Sequence, residues 1–310
     1  MKHGKRSVLQ RLSYIKYLYL KGEEQARQAE VVAGFSILAF HDSIEMFLML
    51  MYEHLDCGND KNYKTIDDYL GSIPNIKMKE SVKSLNKCRI SMKHQGQFPS
   101  KADVEKHRIN AHSFLQENAL SLLNLDFDSI SLINLVSFEE CKHFLNIAQR
   151  KRNEDKYYES IAETRKAFNS MLSEFENSKQ YWYNSLFCIG RKPRDTYKEF
   201  IRETTIKNGN KYIAWFEDVD KTINDLRDVV KIISIGIDYK QYALFNAVAP
   251  KVWFWENDSY EVREIESYFY NRVNANKELC DLCINFVIDC AVKIQDSDYE
   301  TSQYLVTTHL

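Results

Sequence analysis

The chain has 310 residues, of which 44% are hydrophobic and 28% charged, and its formal net charge is −2. These values are typical of a folded protein and exclude an intrinsically disordered chain. Glycine occurs 9 times and proline 4 times, against 19 tyrosines and 17 phenylalanines. Turn residues are therefore too few for a protein of many short strands, and the composition predicts an all-α fold. The absence of GxGxxG and GxxxxGK[ST] motifs argues against the common nucleotide-binding α/β enzymes.

Cysteine usage and the N-terminal segment both favour a cytoplasmic protein. The seven cysteines are odd in number and irregularly spaced, which is typical of free thiols in a reducing compartment. Basic residues interrupt the first 22 residues, so no signal peptide is expected. Residues 31–51 are long enough to span a bilayer, but His41, Asp42 and Glu45 fall in their middle. This segment is therefore predicted to be the central buried helix of a bundle, with no membrane association.

Helical patterns and their stop signals predict a first lobe over residues 1–125. A long helical region over 7–55 is expected to bend near Gly22 or Gly34, and a short helix over 65–70 follows. A basic helix over 77–93 is predicted to stop at Gly96, with Pro99 just beyond it. Ser100 and Asp103 form a capping box that opens a helix ending near residue 123.

Residues 126–136 carry few helix signals and are predicted to link the first lobe to a second over residues 137–310. Ser137 and Glu140 predict a second capping box. Helices are predicted over residues 138–148, 155–176, 197–205, 212–235 and 259–295, with Gly236 closing the fourth. Both lobes share a plan in which a glycine ends a helix before a loop and a long closing helix. This plan suggests a degenerate internal duplication.

The most informative segment for function is the basic helix around Arg89. Val82, Leu85 and Met92 form an apolar stripe, and Arg89 takes the position that completes its helical spacing. A guanidinium at such a seam needs an anionic partner because it cannot lose its charge. His94 follows in the last turn, where its ring can face outward. Between residues 77 and 108, nine lysines or arginines stand against three acids, a charge excess that favours nucleic-acid backbone binding.

Arginine and histidine together suit RNA transphosphorylation, in which a 2′-OH attacks the adjacent phosphate. Imidazole titrates near neutral pH and can take or give a proton, whereas a guanidinium holds phosphate oxygens and offsets the developing charge. Arg89 is therefore the candidate phosphate ligand and His94 the candidate acid or base. Lys87 and Lys93 are candidates for binding the RNA backbone.

The Arg89-x4-His94 spacing near a helix end, preceded by Asn86, resembles the R-x4-6-H motif of the HEPN superfamily. The resemblance covers about residues 25–123 and implies a helical bundle with metal-independent endoribonuclease activity and no cofactor. It also implies a homodimer with a composite cleft, in a toxin–antitoxin or phage-defence setting with a possible antitoxin or other partner protein. An acidic residue on the preceding long helix, Asp42 or Glu45, would orient Arg89 or His94.

This sequence departs from the commonest form of the motif, because Ile90 stands where a polar residue usually follows the arginine. In the second lobe, Lys231 and Gly236 stand where the arginine and histidine would be. If the duplication is real, this copy is therefore catalytically inactive. The alternative function is a non-catalytic helical adaptor for a protein or nucleotide partner, in which an internal acid such as Glu45 neutralises Arg89.

Other residue patterns are interpreted as structural. Cys280 and Cys283 lie within an apolar helical run and are predicted to be buried core thiols rather than metal ligands. Residues 150–152 are predicted to form a solvated turn, and Glu140 with His143 a solvated helix face. His41 and Glu45 are one helical turn apart and are predicted to be hydrogen-bonded, since two ligands are too few for a metal site. The aromatic runs at 181–183 and 253–255 are expected to be core or interface anchors.

Overall fold

The computed structural model describes residues 7–58, 64–178, 180–181, 184–185, 211–254, 260–262 and 266–296. The described residues are mainly helical, with two short hairpins, so the all-α prediction is confirmed. The chain divides into two compact units, residues 1–135 and 136–310. None of the described helices is both long enough and apolar enough to cross a bilayer.

The first unit is a bundle centred on one helix. Its helices are α1 (Val8–Ala26), α2 (Glu30–Ala33), α3 (Ser36–His54), α4 (Ile66–Ser72), α5 (Lys79–Gln95) and α6 (Lys101–Leu123). As predicted, α3 is central, because α1, α4, α5 and α6 all pack against it. Phe40 contacts Tyr19 of α1 with ring centroids 5.5 Å apart, and Phe47 contacts Phe114 of α6 at 5.9 Å. The core of this unit therefore lies around α3.

The long helix predicted over residues 7–55 is three helices, with breaks at 27–29 and 34–35. The bend expected near Gly22 or Gly34 is found at Gly34, between α2 and α3, whereas α1 runs through Gly22 without interruption. Gly22 instead allows close packing: a Cβ atom there would lie 2.7 Å from Cε1 of Phe40. The chain leaves the helical conformation at Ala29, where φ is −58° and ψ is 150°.

The ends of α5 and α6 agree with their sequence signals. Gly96 adopts the left-handed conformation (φ 68°, ψ 16°) and ends α5. The Asp103 amide donates to Ser100 Oγ over 3.2 Å, and the Ser100 amide donates to Asp103 Oδ2 over 3.3 Å. The predicted capping box is therefore confirmed, and it fixes where α6 begins.

The segment predicted as a linker packs onto the first unit. It contains two 3₁₀ helices, Phe127–Ser129 and Leu132–Leu135. Lys16 Nζ donates to the Ile130 carbonyl over 2.8 Å, and Ser13 Oγ donates to the Ser131 carbonyl over 2.8 Å. Residues 126–135 thus belong to the bundle, and the boundary between the units lies at their end.

The second unit combines helices with two antiparallel hairpins. Its helices are α7 (Glu139–Asn153), α8 (Tyr157–Ser178), α9 (Lys211–Ser234), α10 (Tyr239–Val248), α11 (Glu266–Arg272) and α12 (Lys277–Asp296). Strand β1 (Gln180–Tyr181) pairs with β2 (Asn184–Ser185), and β3 (Val252–Phe254) pairs with β4 (Tyr260–Val262). Helices α7, α8 and α12 pack together, and Cys280 and Cys283 of α12 are fully buried, as predicted. Burial raises the pKa of both thiols, so they remain protonated at neutral pH.

Two predicted helix boundaries in this unit are wrong. Phe138, not Ser137, is the N-cap of α7 and makes no capping bond, while the Ser137 amide donates to Gln295 Oε1 over 2.7 Å. The single helix predicted over 259–295 is instead β4, α11 and α12. A new helix begins at α12 because Asn276 Oδ1 accepts from the Leu279 amide over 2.8 Å, a typical N-cap bond.

The run at 150–152 is not the predicted turn. It forms the last turn of α7, where Lys151 pairs with Glu159 over 2.5 Å and Arg152 pairs with Asp281. The helix predicted over 197–205 lies outside the described residues.

Candidate functional site

Helix α5 places Arg89 at an apolar seam, as its spacing predicts. Val82, Leu85 and Met92 are 1%, 2% and 7% exposed and pack into the bundle. Arg89 follows the same stripe but is only partly buried. The long arginine side chain therefore passes over the apolar seam before its charged end approaches solvent.

The Arg89 guanidinium has no counter-ion within the part of the chain that the structure describes. It forms no hydrogen bond or ion pair with a described side chain, and its Nε atom is buried without a hydrogen-bond partner. A buried donor of this kind is costly unless it meets an acceptor. The fork of Arg89 is therefore available to an external anion.

His94 lies on a different face of α5 from Arg89. An α-helix turns by about 100° and rises about 1.5 Å per residue, so residues five apart are about 140° apart around the axis and about 7.5 Å apart along it. Asn86 and Lys93, three before and four after Arg89, share its face, whereas Lys87 shares the face of His94. One copy of α5 thus presents two separate groups of motif residues.

Three of the motif residues on α5 are accessible to solvent. His94 lies in the last turn of α5, one residue before Gln95 and the glycine stop, and it is exposed. Lys87 and Lys93 are also exposed, and neither forms an ion pair with a described residue. These three side chains can meet a polyanion without breaking an ion pair or a hydrogen bond to a described residue.

The basic patch is partly neutralised by internal ion pairs. Lys83 pairs with Glu80 over 2.7 Å, and Arg108 pairs with Glu105 and Glu23 over 2.7 Å each. Lys83 and Arg108 are thus already matched by carboxylates. The other seven basic residues between positions 77 and 108, among them Lys87, Arg89 and Lys93, form no ion pair with a described residue.

The acids of α3 are engaged with a histidine rather than with α5. His41 is 3% exposed, and its Nδ1 lies 3.2 Å from Asp42 Oδ1 and 3.8 Å from Glu45 Oε2. The hydrogen-bonded neighbour of His41 is therefore Asp42, not the predicted Glu45. Neither acid forms a hydrogen bond or ion pair with Arg89 or His94. The expected orienting contact is absent among the described residues.

Among the described residues, the same three side chains are placed so that they could together hold a metal ion. One ligand atom from each of His41, Asp42 and Glu45 lies within 4.8 Å of the others. A mixed imidazole and carboxylate set suits a first-row divalent ion. Helical spacing pairs His41 with Glu45 but does not predict Asp42 as a third ligand. Adjacent residues on a helix point in directions about 100° apart.

Helix α6 contains a second buried imidazole, His107, for which no role was predicted from the sequence. It is 4% exposed, and its Nδ1 has no hydrogen-bond partner. Burial, with Lys106 adding to the effect, lowers the pKa of His107, so the ring is neutral at neutral pH. Its signal in the sequence is the stripe of Val104, His107, Ala111 and Phe114 at helical spacing, in which the histidine takes a core position.

The remaining sequence candidates contribute little to a site. Glu140 and His143 are exposed on α7, which confirms the predicted solvated face. Of the aromatic runs, residues 182–183 and 255 lie outside the described residues. Tyr181 belongs to β1, and Trp253 and Phe254 belong to β3.

Comparison with known proteins gives no independent assignment of this site. No protein-family model, no curated protein and no solved structure matches the chain.

Proposed function

We propose that the first unit is a metal-independent endoribonuclease of the HEPN type. Arg89 holds the scissile phosphate, and His94 acts as the general acid or base. Lys87 and Lys93 bind the flanking RNA backbone, and Asn86 lies on the face of Arg89 and supports it. The biological setting implied by the motif is a toxin–antitoxin or phage-defence system, in which an antitoxin or other defence protein controls the activity.

The observation that carries this proposal is the unpaired state of Arg89. In the adaptor alternative, an internal acid such as Glu45 would neutralise this arginine. Glu45 instead lies beside His41, and Arg89 has no ion pair with any described residue. A partly buried guanidinium with an unused fork is suited to bind a phosphate bidentately.

The reaction is a transphosphorylation in which atoms and charges balance without another reactant. The 2′-oxygen forms a bond to phosphorus, and the bond from phosphorus to the 5′-oxygen breaks. A base takes the proton of the 2′-OH, and an acid gives a proton to the departing 5′-oxygen. The products are a 2′,3′-cyclic phosphate and a 5′-OH end.

The geometry of α5 favours a homodimer as the active form. Because Arg89 and His94 lie about 140° apart around the helix, their side chains point in different directions within one copy. A second copy can bring its own His94 towards Arg89, which makes one composite cleft from two motifs. The specific activity is therefore expected to fall when the protein is diluted below the dissociation constant of the dimer.

Cleavage of total RNA by the purified protein, with and without EDTA, tests this function. We expect cleavage by the wild type in EDTA, and a loss of cleavage in both Arg89→Ala and His94→Ala. Matched controls are Arg27→Ala and His54→Ala, since Arg27 is exposed and His54 is an exposed histidine in the last turn of α3. Both controls should cleave like the wild type.

End-group analysis of the fragments provides the chemical readout. A 2′,3′-cyclic phosphate with a 5′-OH end is expected. Fragments with other ends, cleavage that EDTA abolishes, or equal cleavage by all variants would contradict the proposal. RNA that stays intact with every protein, including co-purified or co-expressed complexes, would favour the adaptor.

A further inference from the structure

The second unit contains a buried arginine that the proposed ribonuclease function does not use. Arg165 of α8 is 6% exposed. Its guanidinium carbon lies 4.4 Å from the ring centroid of Phe245 on α10. Phe168 and Phe286 pack on the same ring, with centroids 5.3 Å and 4.9 Å away. A full positive charge is therefore held against an aromatic core.

Arg165 remains charged, and none of the described residues places a negative group against it. Burial lowers the pKa of Arg165 to about 10, which is still well above neutral pH. The titratable groups that act on it are Tyr242 of α10 and Cys283 of α12. Burial raises the pKa of both, to about 12 for Cys283, so neither carries charge at neutral pH. Arg165 forms no ion pair with any described residue.

The hydrogen bonds of Arg165 are also incomplete. One terminal nitrogen donates to Asn246 Oδ1 over 3.0 Å, whereas Nε is buried and has no acceptor. Asn246 is exposed on α10, so the bonded edge of the guanidinium lies next to the protein surface. The cation–π contact with Phe245 offsets only part of the cost of burying the charge.

We propose that Arg165 and Asn246 form a binding site for an oxyanion in the second unit. A planar guanidinium binds carboxylate and phosphate groups through paired hydrogen bonds, and the Asn246 amide can donate a further bond from the surface side. Phosphate is the better match, because its three or four oxygens can use donors on both sides. The anion neutralises Arg165 and stabilises the packing of α8 against α10.

The oxyanion bound at this site can be free phosphate or the phosphate group of a mononucleotide. Tyr239, next to Tyr242 with ring centroids 6.4 Å apart, is 46% exposed and offers a surface on which a base can stack. If the ligand is a nucleotide, AMP should bind more tightly than inorganic phosphate. If the site takes a free oxyanion, the two should bind equally.

Thermal unfolding of the full chain at constant ionic strength tests the site, with inorganic phosphate, AMP, acetate or chloride as the added anion. All proteins carry Arg89→Ala, so that phosphate bound at α5 does not contribute. We expect Tm to rise with the logarithm of the phosphate concentration, as specific binding requires. A general salt effect would instead be linear in concentration and equal in all variants.

Two substitutions at the site test whether Arg165 is the group that binds the anion. Arg165→Met removes the charged guanidinium while keeping an unbranched apolar stem, and it should abolish the phosphate-dependent rise. Asn246→Asp places a carboxylate where Arg165 already donates a hydrogen bond, so it should raise Tm without phosphate and reduce the response to phosphate. The control, Arg152→Met, removes an arginine that is already paired with Asp281, so the phosphate response should persist.

Three results would overturn the site. The first is a phosphate response that is unchanged in Arg165→Met. The second is no change of Tm in Asn246→Asp, which would mean that Arg165 does not need a counter-ion. The third is no response to phosphate in the protein that retains Arg165, together with a large fall of Tm in Arg165→Met, which would mean that the chain itself supplies the anion.

Discussion

Helices α5 and α9 end in similar stretches of sequence, but the two ends have different surroundings. Each helix stops before a glycine in the left-handed conformation, Gly96 with φ 68° and Gly236 with φ 79°. Each carries a basic residue in its last turns, Arg89 in α5 and Lys231 in α9. Lys231 is paired with Glu176 of α8, whereas Arg89 has no ion pair with any described residue.

This difference shows that a motif in sequence does not decide whether its charge is available. Both helices contain the local information for a stop and for a basic group beside it. The neighbouring helix of each unit then decides what the basic group does. In the second unit α8 supplies a carboxylate, so the charge of Lys231 is already matched within the chain.

The largest expected effect concerns catalysis. Arg89→Lys keeps the charge but loses the planar fork, and we expect RNA cleavage to fall about 100-fold or more, in line with the loss of one transition-state donor. Lys231→Ala should leave the rate unchanged. Initial rates on a defined RNA oligonucleotide measure both. A rate for Arg89→Lys close to that of the wild type would show that only the charge at this position matters.

A smaller effect is expected when the glycine after each helix is replaced. The loss of stability should be equal at the two helix ends. Neither glycine has an atom within 4 Å of the position that a Cβ would take, so substitution adds backbone strain but no clash. Gly96→Ala and Gly236→Ala should each lower the free energy of unfolding by about 1 kcal/mol. Urea unfolding followed by circular dichroism measures this, and a cost at one end alone would mean that the two stops are not equivalent.

The smallest expected effect is a difference in stability between variants of the two basic residues, Lys231 and Arg89. Lys231→Met breaks an ion pair whose partners are 22% and 28% exposed, and it should cost up to about 1 kcal/mol. Arg89→Met breaks no ion pair and should change stability by less than about 0.5 kcal/mol. A double-mutant cycle with Glu176→Gln isolates the Lys231 contribution. A greater loss in Arg89→Met than in Lys231→Met would reverse the comparison.

Signals that act over a few residues predicted the end of α5 and the start of α6. The left-handed Gly96 and the capping box of Ser100 and Asp103 are governed by backbone sterics and local hydrogen bonds, and both agree with the structure. The seam position of Arg89 followed from helical spacing alone. These features need no knowledge of distant parts of the chain.

The errors arise where distant residues compete with a local signal. Ser137 was expected to cap α7, but its amide is bonded to Gln295, which is 158 positions away. Gly22 and Gly34 were both offered as positions of a bend, but Phe40 of α3 packs against Gly22 and the helix continues there, so the break lies at Gly34. Asp42 or Glu45 was expected to orient Arg89 or His94, but the buried ring of His41 lies beside both carboxylates.

The sequence by itself determined the helical class, the stop at Gly96, the start of α6 and the burial of the α5 stripe, because periodicity and capping are properties of adjacent residues. Only the tertiary structure decided that Lys231 is paired, and that Arg89 and the buried Arg165 have no counter-ion among the residues the structure describes. Whether a charge meets an opposite charge depends on which helices pack against it. That packing is set by the whole core and cannot be read from the residues on one helix.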